Sequence, residues 1–310
     1  MSYPLPKKRS REDFYPSRSC PGGRFLERLD PVIYPSSFAC PLSSELLHRY
    51  REDGFLILDD VFDAQEMDRF QEEVDRLQTR NSDEVIRETT GGDVRSVFRV
   101  HEQSPLFSQL AADSRLMDLA QFILGDQVYM HQSRVNYKPG FRGQEFYWHS
   151  DFETWHVEDG MPAMRAVSMS ITLTRNYATN GPLLLIPGSH KKYVACEGET
   201  PAEHFRSSLI KQSIGVPADE QVRQLADEGG IVAATGKPGS VILFDCNVLH
   251  GSGSNITPFP RSNVFFVYNA LSNRVEEPFC DLPPRPEYLC SRDGITPLTA
   301  RTSEQADESC

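Results

Sequence analysis

The chain has 310 residues, which can bury a substantial core, and barrels or sandwiches of this length often form a single domain. Its 32 basic and 44 acidic residues give a formal net charge of -12, which argues against a nucleic-acid partner because such partners require a basic surface. The sequence has no apolar signal core and no stretch that approaches the roughly 20 apolar residues of a membrane span, so we expect a cytoplasmic protein without membrane contact.

The first part of the chain, up to about residue 125, is predicted to be mostly helical. Residues 1–25 mix Pro, Ser and charged residues, and we expect a flexible tail there. A short apolar run at residues 55–58 predicts a strand between two helices. Apolar residues recur at helical spacing in three segments: Leu46, Leu47 and Tyr50; Met67, Phe70, Val74 and Leu77; Leu116, Leu119, Phe122 and Ile123.

After residue 125 the pattern changes to short strands separated by Gly, Pro, Asn and Ser. The β-prone runs are Val128 to Lys138, Arg165 to Leu173, Leu183 to Ile186, Ser240 to Phe244 and Asn263 to Ala270. The polar stretch 197–230, with a predicted helix at 217–228, is either a lid or an outer layer. We predict a β-sandwich or barrel with helices packed outside, in one domain over residues 26–290, followed by a flexible tail at 291–310.

Two of these strands have a polar face that suits a ligand. In the first, Gln132, Arg134, Asn136 and Lys138 alternate with the residues of the opposite face. In the second, residues 165–173, small polar residues alternate with apolar ones. Such faces can supply hydrogen bonds and space inside a barrel. An edge strand or a solvent-facing side explains the same patterns, and both interpretations stay open at this point.

The triplet His149-Ser150-Asp151 and the later His250 predict a metal site. In an extended segment side chains alternate, so His149 and Asp151 project to one side and Ser150 points away. His250 follows the β-prone run 241–244, and the end of a barrel strand can bring it to the same point. Two imidazoles and one carboxylate form the facial triad that holds a non-haem Fe(II) and leaves positions open for a co-substrate and O2.

The metal and the reaction are not fixed by this triad alone. An HxD pair occurs often by chance, and zinc binds the same ligands, so a zinc hydrolase and a non-catalytic metal-binding cupin are alternatives. His156 and His190 are rival ligands. An arrangement beyond His250 favours an oxygenase, because the Ser252 hydroxyl and the Arg261 fork suit the distal carboxylate of a dicarboxylic co-substrate. A surface arginine is the plainer interpretation of Arg261.

The segment FYWHSDFETWH at residues 146–156, continued by EDGMP at 158–162, resembles the signature of the ectoine hydroxylases, within the phytanoyl-CoA dioxygenase-like superfamily. The similarity extends through residues 165–176, the turn PGSH at 187–190 and HGS at 250–252. It covers roughly residues 40 to 290. A match of this length is far more specific than an HxD pair.

The resemblance implies a mainly β fold with flanking helices around a double-stranded β-helix (cupin-like jelly-roll) core. It also implies Fe(II), the co-substrates 2-oxoglutarate and O2, conversion of ectoine to 5-hydroxyectoine with release of succinate and CO2, a homodimer and a role in osmotic stress. By position, the iron ligands are His149, Asp151 and His250. The positions that match 2-oxoglutarate contacts are Asn136, Lys138, Phe146, Trp155, Ser252 and Arg261, and those that match ectoine contacts are Gln132 and Trp155.

The carboxylate of Asp151 favours hydroxylation within this resemblance. In related halogenases a small residue replaces the carboxylate so that chloride can bind the iron. Another small amino-acid derivative is the nearest alternative substrate.

Overall fold

Helices and strands occur where the sequence patterns predict them over most of the chain. In the computed structural model, which describes residues 12–18, 23–88 and 92–299, the helices are α1 Ser44–Asp53, α2 Ala64–Gln78, α3 Val100–Gln103, α4 Pro105–Ala111, α5 Ser114–Leu124, α6 Asp151–Asp159, α7 His204–Ser208 and α8 Asp219–Gly229. The strands are β1 Arg24–Glu27, β2 Phe55–Leu58, β3 Val85–Arg87, β4 Val94–Phe98, β5 Val128–Lys138, β6 Phe146–His149, β7 Ala166–Thr172, β8 Leu183–Leu185, β9 Lys192–Ala195, β10 Val232–Ala234, β11 Val241–Asp245, β12 His250–Ser252 and β13 Arg261–Ala270. None of the helices in these described ranges is long and apolar enough to cross a membrane.

The strands form a jelly roll. The larger sheet has the order β2-β11-β7-β13-β5-β4-β3 and the smaller one has the order β10-β8-β12-β6. From β5 to β8, and again from β10 to β13, successive strands alternate between the two sheets, and every pairing is antiparallel. This alternation is the topology of a double-stranded β-helix. The predicted mainly β fold with flanking helices and a jelly-roll core is confirmed.

The larger sheet has a different chemistry on each face, and this difference positions the site. On the outer face Val167, Met169 and Ile171 of β7 belong to the core formed with helices α2, α4 and α5. Each such side chain contributes about 1.5–3 kcal/mol when fully buried. The inner face packs on the smaller sheet through an apolar cluster that includes Phe244 and Leu185. The small polar residues of β7 therefore point into the barrel.

The N-terminal residues that the structure describes do not form a solvated tail. Tyr15 is buried, with its ring centroid 5.2 Å from that of Phe152 and 5.1 Å from that of Tyr193. Strand β1 pairs with β9, with Arg24 opposite Ala195. The predicted tail at 1–25 is therefore wrong for residues 12–18 and 23–25, because a few long-range contacts fix a segment whose composition is polar. Residues 1–11 and 19–22 lie outside the described residues.

The C-terminal boundary also differs from the prediction. The amide of Leu298 donates a hydrogen bond to the carbonyl of Val128 at 2.8 Å, and its side chain packs against the main core. The amide of Ser291 bonds to the carbonyl of His131 at 2.9 Å. The segment is thus held to the barrel at Ser291 and Leu298, and residues 300–310 lie outside the described part of the chain.

Candidate metal centre and co-substrate site

Three predicted ligands converge at one end of the smaller sheet. Strands β6 and β12 are paired, and their register places His250 opposite His149. Nε2 of His149 lies 3.8 Å and Nε2 of His250 lies 3.9 Å from Oδ1 of Asp151. The three ligand atoms all lie within 4.8 Å of one another. A single ion between them can approach each atom to about 2 Å, the usual metal–ligand distance.

Backbone carbonyls orient both imidazoles for metal binding. Nδ1 of His149 lies 2.7 Å from the carbonyl oxygen of Tyr147, and Nδ1 of His250 lies 2.9 Å from that of Val248. A carbonyl only accepts, so in each ring Nδ1 donates a proton and Nε2 keeps a lone pair directed at the ion. Burial lowers the pKa of His149 to about 4, which keeps this ring neutral at physiological pH.

Asp151 is buried in a position that keeps it ionised. Burial opposes ionisation, but His250 and Arg134 beside the carboxyl outweigh it and lower the pKa of Asp151 below its usual value. The Ser168 hydroxyl of β7 donates a hydrogen bond to Oδ2 of Asp151 at 3.3 Å. Ser168 lies on the small polar face that the sequence predicted, but its role as a partner of the carboxylate was not predicted.

The local structure around the triad differs from the predicted extended segment. Strand β6 ends at His149, Ser150 occupies the cap position, and Asp151 is the first residue of α6. The Ser150 hydroxyl does point away from the site, as predicted, and bonds to Oδ1 of Asn247 at 3.1 Å. The change from strand to helix therefore brings the two ligands together. Gly160, which ends the helix with φ 74, was the available signal for this element.

A buried cationic pocket lies beside the triad. Strand register places Lys138 opposite Arg261. Nζ of Lys138 donates hydrogen bonds to the Ser252 hydroxyl at 2.8 Å and to the Gly253 carbonyl at 2.5 Å. Arg261 is only 3% exposed, and its Nε and Nη1 atoms have no partner. A buried charge without a partner is costly, so this pocket is suited to an anion and the surface-arginine alternative is wrong.

The predicted ligand-binding residues lie around one cavity. The triad lines this cavity, which is also lined by Gln132, Asn136, Phe146, Trp155, Ser252 and Arg261. Lys138 does not line the cavity itself and reaches it through Ser252. The polar face of β5 is therefore the interior face of the barrel, and the edge-strand alternative for this strand is wrong.

Comparison with known proteins identifies the family to which this fold and site belong. Residues 50–263 match the phytanoyl-CoA dioxygenase (PhyH) family. The chain belongs to this family. Its relatives include the ectoine dioxygenase of Sphingopyxis alaskensis, which is 53% identical over 286 residues that cover 91% of this chain and 94% of the relative. The ectoine dioxygenase of Stutzerimonas stutzeri is 49% identical over 297 residues, which cover 94% of this chain and 98% of that one.

Solved structures give the same result for this PhyH chain. The crystal structure of EctD from S. alaskensis with 2-oxoglutarate and 5-hydroxyectoine matches with a TM-score of 0.84 and 48% identity, covering 94% of this chain and 99% of that chain. A crystal structure of the same protein with bound Fe matches with a TM-score of 0.84 and 47% identity over the same shares of the two chains. The predicted resemblance to the ectoine hydroxylases and the predicted class, an Fe(II)/2-oxoglutarate dioxygenase, are confirmed.

Two arginines of the PhyH cavity were not predicted as individual ligand contacts. The guanidinium carbon of Arg134 lies 4.8 Å from the ring centroid of Phe265, and its Nη1 donates to Oε1 of Gln132. Arg285 follows the last strand, and its Nε and Nη2 atoms donate to the two carboxylate oxygens of Asp159 at 2.8 and 2.6 Å. Arg134 was recognisable as part of the polar face of β5. Arg285 lies in a Pro-rich segment without periodicity, so no local signal indicated it.

The rival histidines have other partners. Nδ1 of His156 lies 2.7 Å from the Met161 carbonyl and its Nε2 lies 2.9 Å from Oδ1 of Asp13, so both ring nitrogens are engaged away from the triad. Nε2 of His190 lies 3.2 Å from the Arg51 carbonyl oxygen. Neither residue belongs to the group of ligands around Asp151.

A second group of residues that could bind a metal ion is formed by the buried His131, Asp159 and Cys290. Both carboxylate oxygens of Asp159 already accept hydrogen bonds from Arg285. The positive guanidinium disfavours a second cation beside it. The triad is therefore the better candidate for the metal centre.

The polar stretch 197–230 contributes both to the cavity and to the exterior. His204, Ser208, Leu209 and Gln212 line the cavity, so this part forms a wall. Helix α8 instead packs Val222 and Leu225 in an outer apolar cluster with Ile186, Val194 and Leu249. The outer-layer interpretation is therefore correct for helix α8, and the residues before it form a wall of the cavity. We call residues 197–217 the wall segment.

Proposed function

We propose that this chain hydroxylates ectoine to 5-hydroxyectoine, consuming 2-oxoglutarate and O2 in the presence of Fe(II) and releasing succinate and CO2. The observation that carries this proposal is the juxtaposition of a two-His, one-carboxylate triad with the unpaired guanidinium of Arg261 in one cavity. The 53% identity to an ectoine dioxygenase supports the choice of substrate.

His149, Asp151 and His250 are proposed to hold the iron. Their donor set of two neutral imidazole nitrogens and one carboxylate fits Fe(II) and leaves coordination positions for the co-substrates. Iron supplies the oxidising chemistry when it is bound. The protein contributes ring orientation through the carbonyls of Tyr147 and Val248, and charge balance through the ionised Asp151.

The cationic pocket is proposed to bind 2-oxoglutarate. The free Nε and Nη1 atoms of Arg261 form a fork that can bind the distal carboxylate, and the Ser252 hydroxyl and the side-chain nitrogen of Lys138 lie beside it. The remaining proposed contacts are Asn136, Phe146 and Trp155. Arg95 lies 3.8 Å from the ring centroid of Phe146 and holds this ring at the cavity wall.

The opposite side of the cavity is proposed to bind ectoine, a small zwitterionic ring. Trp155 supplies an aromatic wall, and Gln132 supplies a polar contact. The Gln132 amide accepts from Arg134 and donates to the Leu289 carbonyl at 2.6 Å, so it also fixes the direction of the Arg134 guanidinium. With Arg285, this guanidinium offers positive charge to the carboxylate of the substrate.

Residues 26–290 are proposed to act as one dioxygenase domain, in a homodimer located in the cytoplasm. The family resemblance supports the dimer and a role in compatible-solute synthesis under osmotic stress. The contacts of Tyr15 and Leu298 extend the domain beyond these bounds on both sides.

Lys138 should make the binding of 2-oxoglutarate depend on pH. Burial, together with Arg261 and Arg95 nearby, lowers the pKa of Lys138 to about 6, so the free protein holds this amine largely neutral at about pH 8. A bound carboxylate favours the charged amine, so binding takes up a proton. Between about pH 6 and pH 8 the anaerobic dissociation constant of 2-oxoglutarate should therefore rise, by at most about tenfold per pH unit. Lys138→Met should remove most of this slope, and an unchanged slope in the variant would refute the assignment.

Product identification tests the proposed function. The purified chain, loaded with Fe(II) and supplied with 2-oxoglutarate and O2, is incubated separately with ectoine, proline and other small amino-acid derivatives. We expect 5-hydroxyectoine and succinate in equal amounts with ectoine, and far slower turnover of the others. A hydroxylated product from another compound, with none from ectoine, would reject the substrate assignment. Formation of no succinate with any compound would favour a zinc hydrolase or a non-catalytic cupin.

A further inference from the structure

Arg18, in the N-terminal segment, is buried between two carboxylates of α6. Its side chain is only 2% exposed, and Nη2 lies 2.7 Å from Oε2 of Glu153 while Nη1 lies 2.6 Å from Oε1 of Glu158. Its Nε donates a further hydrogen bond to Glu153 at 2.9 Å. A guanidinium with this many charge-assisted contacts holds a fixed geometry.

The same guanidinium reaches the wall segment. Nη1 of Arg18 donates to the Thr200 hydroxyl at 3.0 Å, and Nδ1 of His204 lies 2.8 Å from the Glu158 oxygen that Arg18 also contacts. At Gly215 a Cβ atom would lie 2.2 Å from Nη2 of Arg18, and φ is +72. Only glycine allows the backbone to pass this close, so the wall segment is fitted around Arg18 at both of its ends.

The two elements that Arg18 joins both line the cavity beside Trp155, which is a proposed ectoine contact. Helix α6 contributes Thr154 and Trp155, and the wall segment contributes His204 and Gln212. The Thr154 hydroxyl lies 3.5 Å from Nη2 of Arg18 and 3.4 Å from Nε2 of Gln212. Arg18 itself does not line the cavity, so any effect on the substrate passes through these neighbours.

Removal of the guanidinium would leave two buried carboxylates close together. The Glu153 and Glu158 side chains are 1% and 4% exposed. Burial opposes ionisation of Glu158, but His204 and Arg18 lower the pKa of this carboxyl to about 2. Without Arg18, these two carboxylates lose the charge that balances them, and their need for solvation favours entry of water between α6 and the wall segment.

We propose that Arg18 is a positioning residue for ectoine binding, which clasps the wall segment to α6 and thereby sets the shape of the substrate side of the cavity. This inference rests on the proposed function for the identity of the substrate. It gives the N-terminal segment, which precedes the residues that match the PhyH family, a part in building the site.

The test compares Arg18→Gln with Arg28→Gln. Arg28 forms a similarly buried pair with Asp245 at 2.9 Å, with side chains 4% and 3% exposed, and neither residue lines the cavity. For Arg18→Gln we expect the KM for ectoine to rise by about tenfold or more, since small displacements of binding groups are costly, while the KM for 2-oxoglutarate changes by less than about twofold. Hydrogen exchange of residues 197–217 should accelerate. Compared with Arg18→Gln, Arg18→Lys should show a smaller increase in the KM for ectoine and a smaller acceleration of hydrogen exchange.

The control variant, Arg28→Gln, should have a lower melting temperature but an unchanged KM for ectoine and unchanged hydrogen exchange of residues 197–217. Equal effects of Arg18→Gln and Arg28→Gln on KM and exchange, or unchanged exchange of the wall segment in Arg18→Gln, would overturn the proposal. If Arg18→Gln does not fold, Gly215→Ala keeps the guanidinium but displaces the segment from it, and it should give the same KM and exchange pattern. Hydrogen exchange requires no turnover. It therefore tests whether Arg18 holds the wall segment to α6 even if the wild-type protein does not hydroxylate ectoine.

Discussion

Replacement of His149 by alanine is expected to abolish hydroxylation of ectoine. The change leaves one imidazole and one carboxylate, which cannot hold Fe(II) in a facial triad. Loss of a partner that merely orients a ligand costs about 10- to 100-fold in metal affinity or activity, so loss of the ligand itself should exceed about 100-fold. Turnover measures the loss of activity. The loss of metal binding is measured by the visible charge-transfer band that Fe(II) and 2-oxoglutarate produce together without O2. This band should be absent in the variant.

A matched variant separates loss of a ligand from loss of any histidine. His48 is exposed on α1 and lies outside the triad and the cavity. His48→Ala should retain the band and the turnover of the unaltered chain. A His149→Ala protein that keeps the band would show that the iron ligands are assigned wrongly. Such an outcome would make His149 a residue of the cavity wall only.

Replacement of Arg261 by methionine should reduce the affinity for 2-oxoglutarate and stabilise the free protein. Removal of one member of a buried charge pair costs about 2–5 kcal/mol of binding free energy, or roughly 30-fold or more in affinity. Methionine keeps most of the apolar stem and removes a buried charge whose Nε and Nη1 lack partners. The melting temperature of the ligand-free protein should therefore rise while the KM for 2-oxoglutarate increases and that for ectoine changes little.

A higher melting temperature of the free protein together with a higher KM for 2-oxoglutarate identifies a site that binds an anion. Replacement of the exposed Arg175 by methionine provides the control and should change neither quantity. If Arg261→Met instead raised the KM for ectoine and left that for 2-oxoglutarate unchanged, the assignment of the two ligands to the two sides of the cavity would have to be reversed. If it lowered the melting temperature, Arg261 would serve the fold rather than the co-substrate.

Local pattern predicted much of the barrel and the metal ligands. The alternating residues of β5 and the apolar run of β2 predicted these two strands with the bounds that the structure shows. Alternation separated the polar from the apolar residues of β5 and β7. Both faces of these strands are largely buried, so the pattern left open which face lines the cavity. The triad was found because His149 and Asp151 are close in sequence. Its metal could not be chosen on ligand types alone, since zinc and iron share them, and the unpaired guanidinium of Arg261 appears only in three dimensions.

The missed features depend on contacts between distant parts of the chain. Tyr15 and Arg18 lie in a polar segment without periodicity, and their burial depends on α6 and on strand β9. Arg285 is positioned by Asp159, 126 residues away in the sequence. Residues 149–151 were interpreted as extended, and helix α6 was not predicted. This helix is buried on most sides, so its apolar residues show little helical periodicity. Such a helix lacks the one-sided pattern on which sequence reasoning depends.

The isotopic composition of the products tests whether this chain is an iron- and 2-oxoglutarate-dependent ectoine hydroxylase. The Fe(II)-loaded protein is incubated with ectoine and 2-oxoglutarate under ¹⁸O₂, and 5-hydroxyectoine and succinate are analysed by mass spectrometry. A dioxygenase should place labelled oxygen in both the new hydroxyl group and succinate, and the two products should accumulate together. Succinate without 5-hydroxyectoine would contradict the substrate, and a product whose new oxygen derives only from water would contradict the reaction.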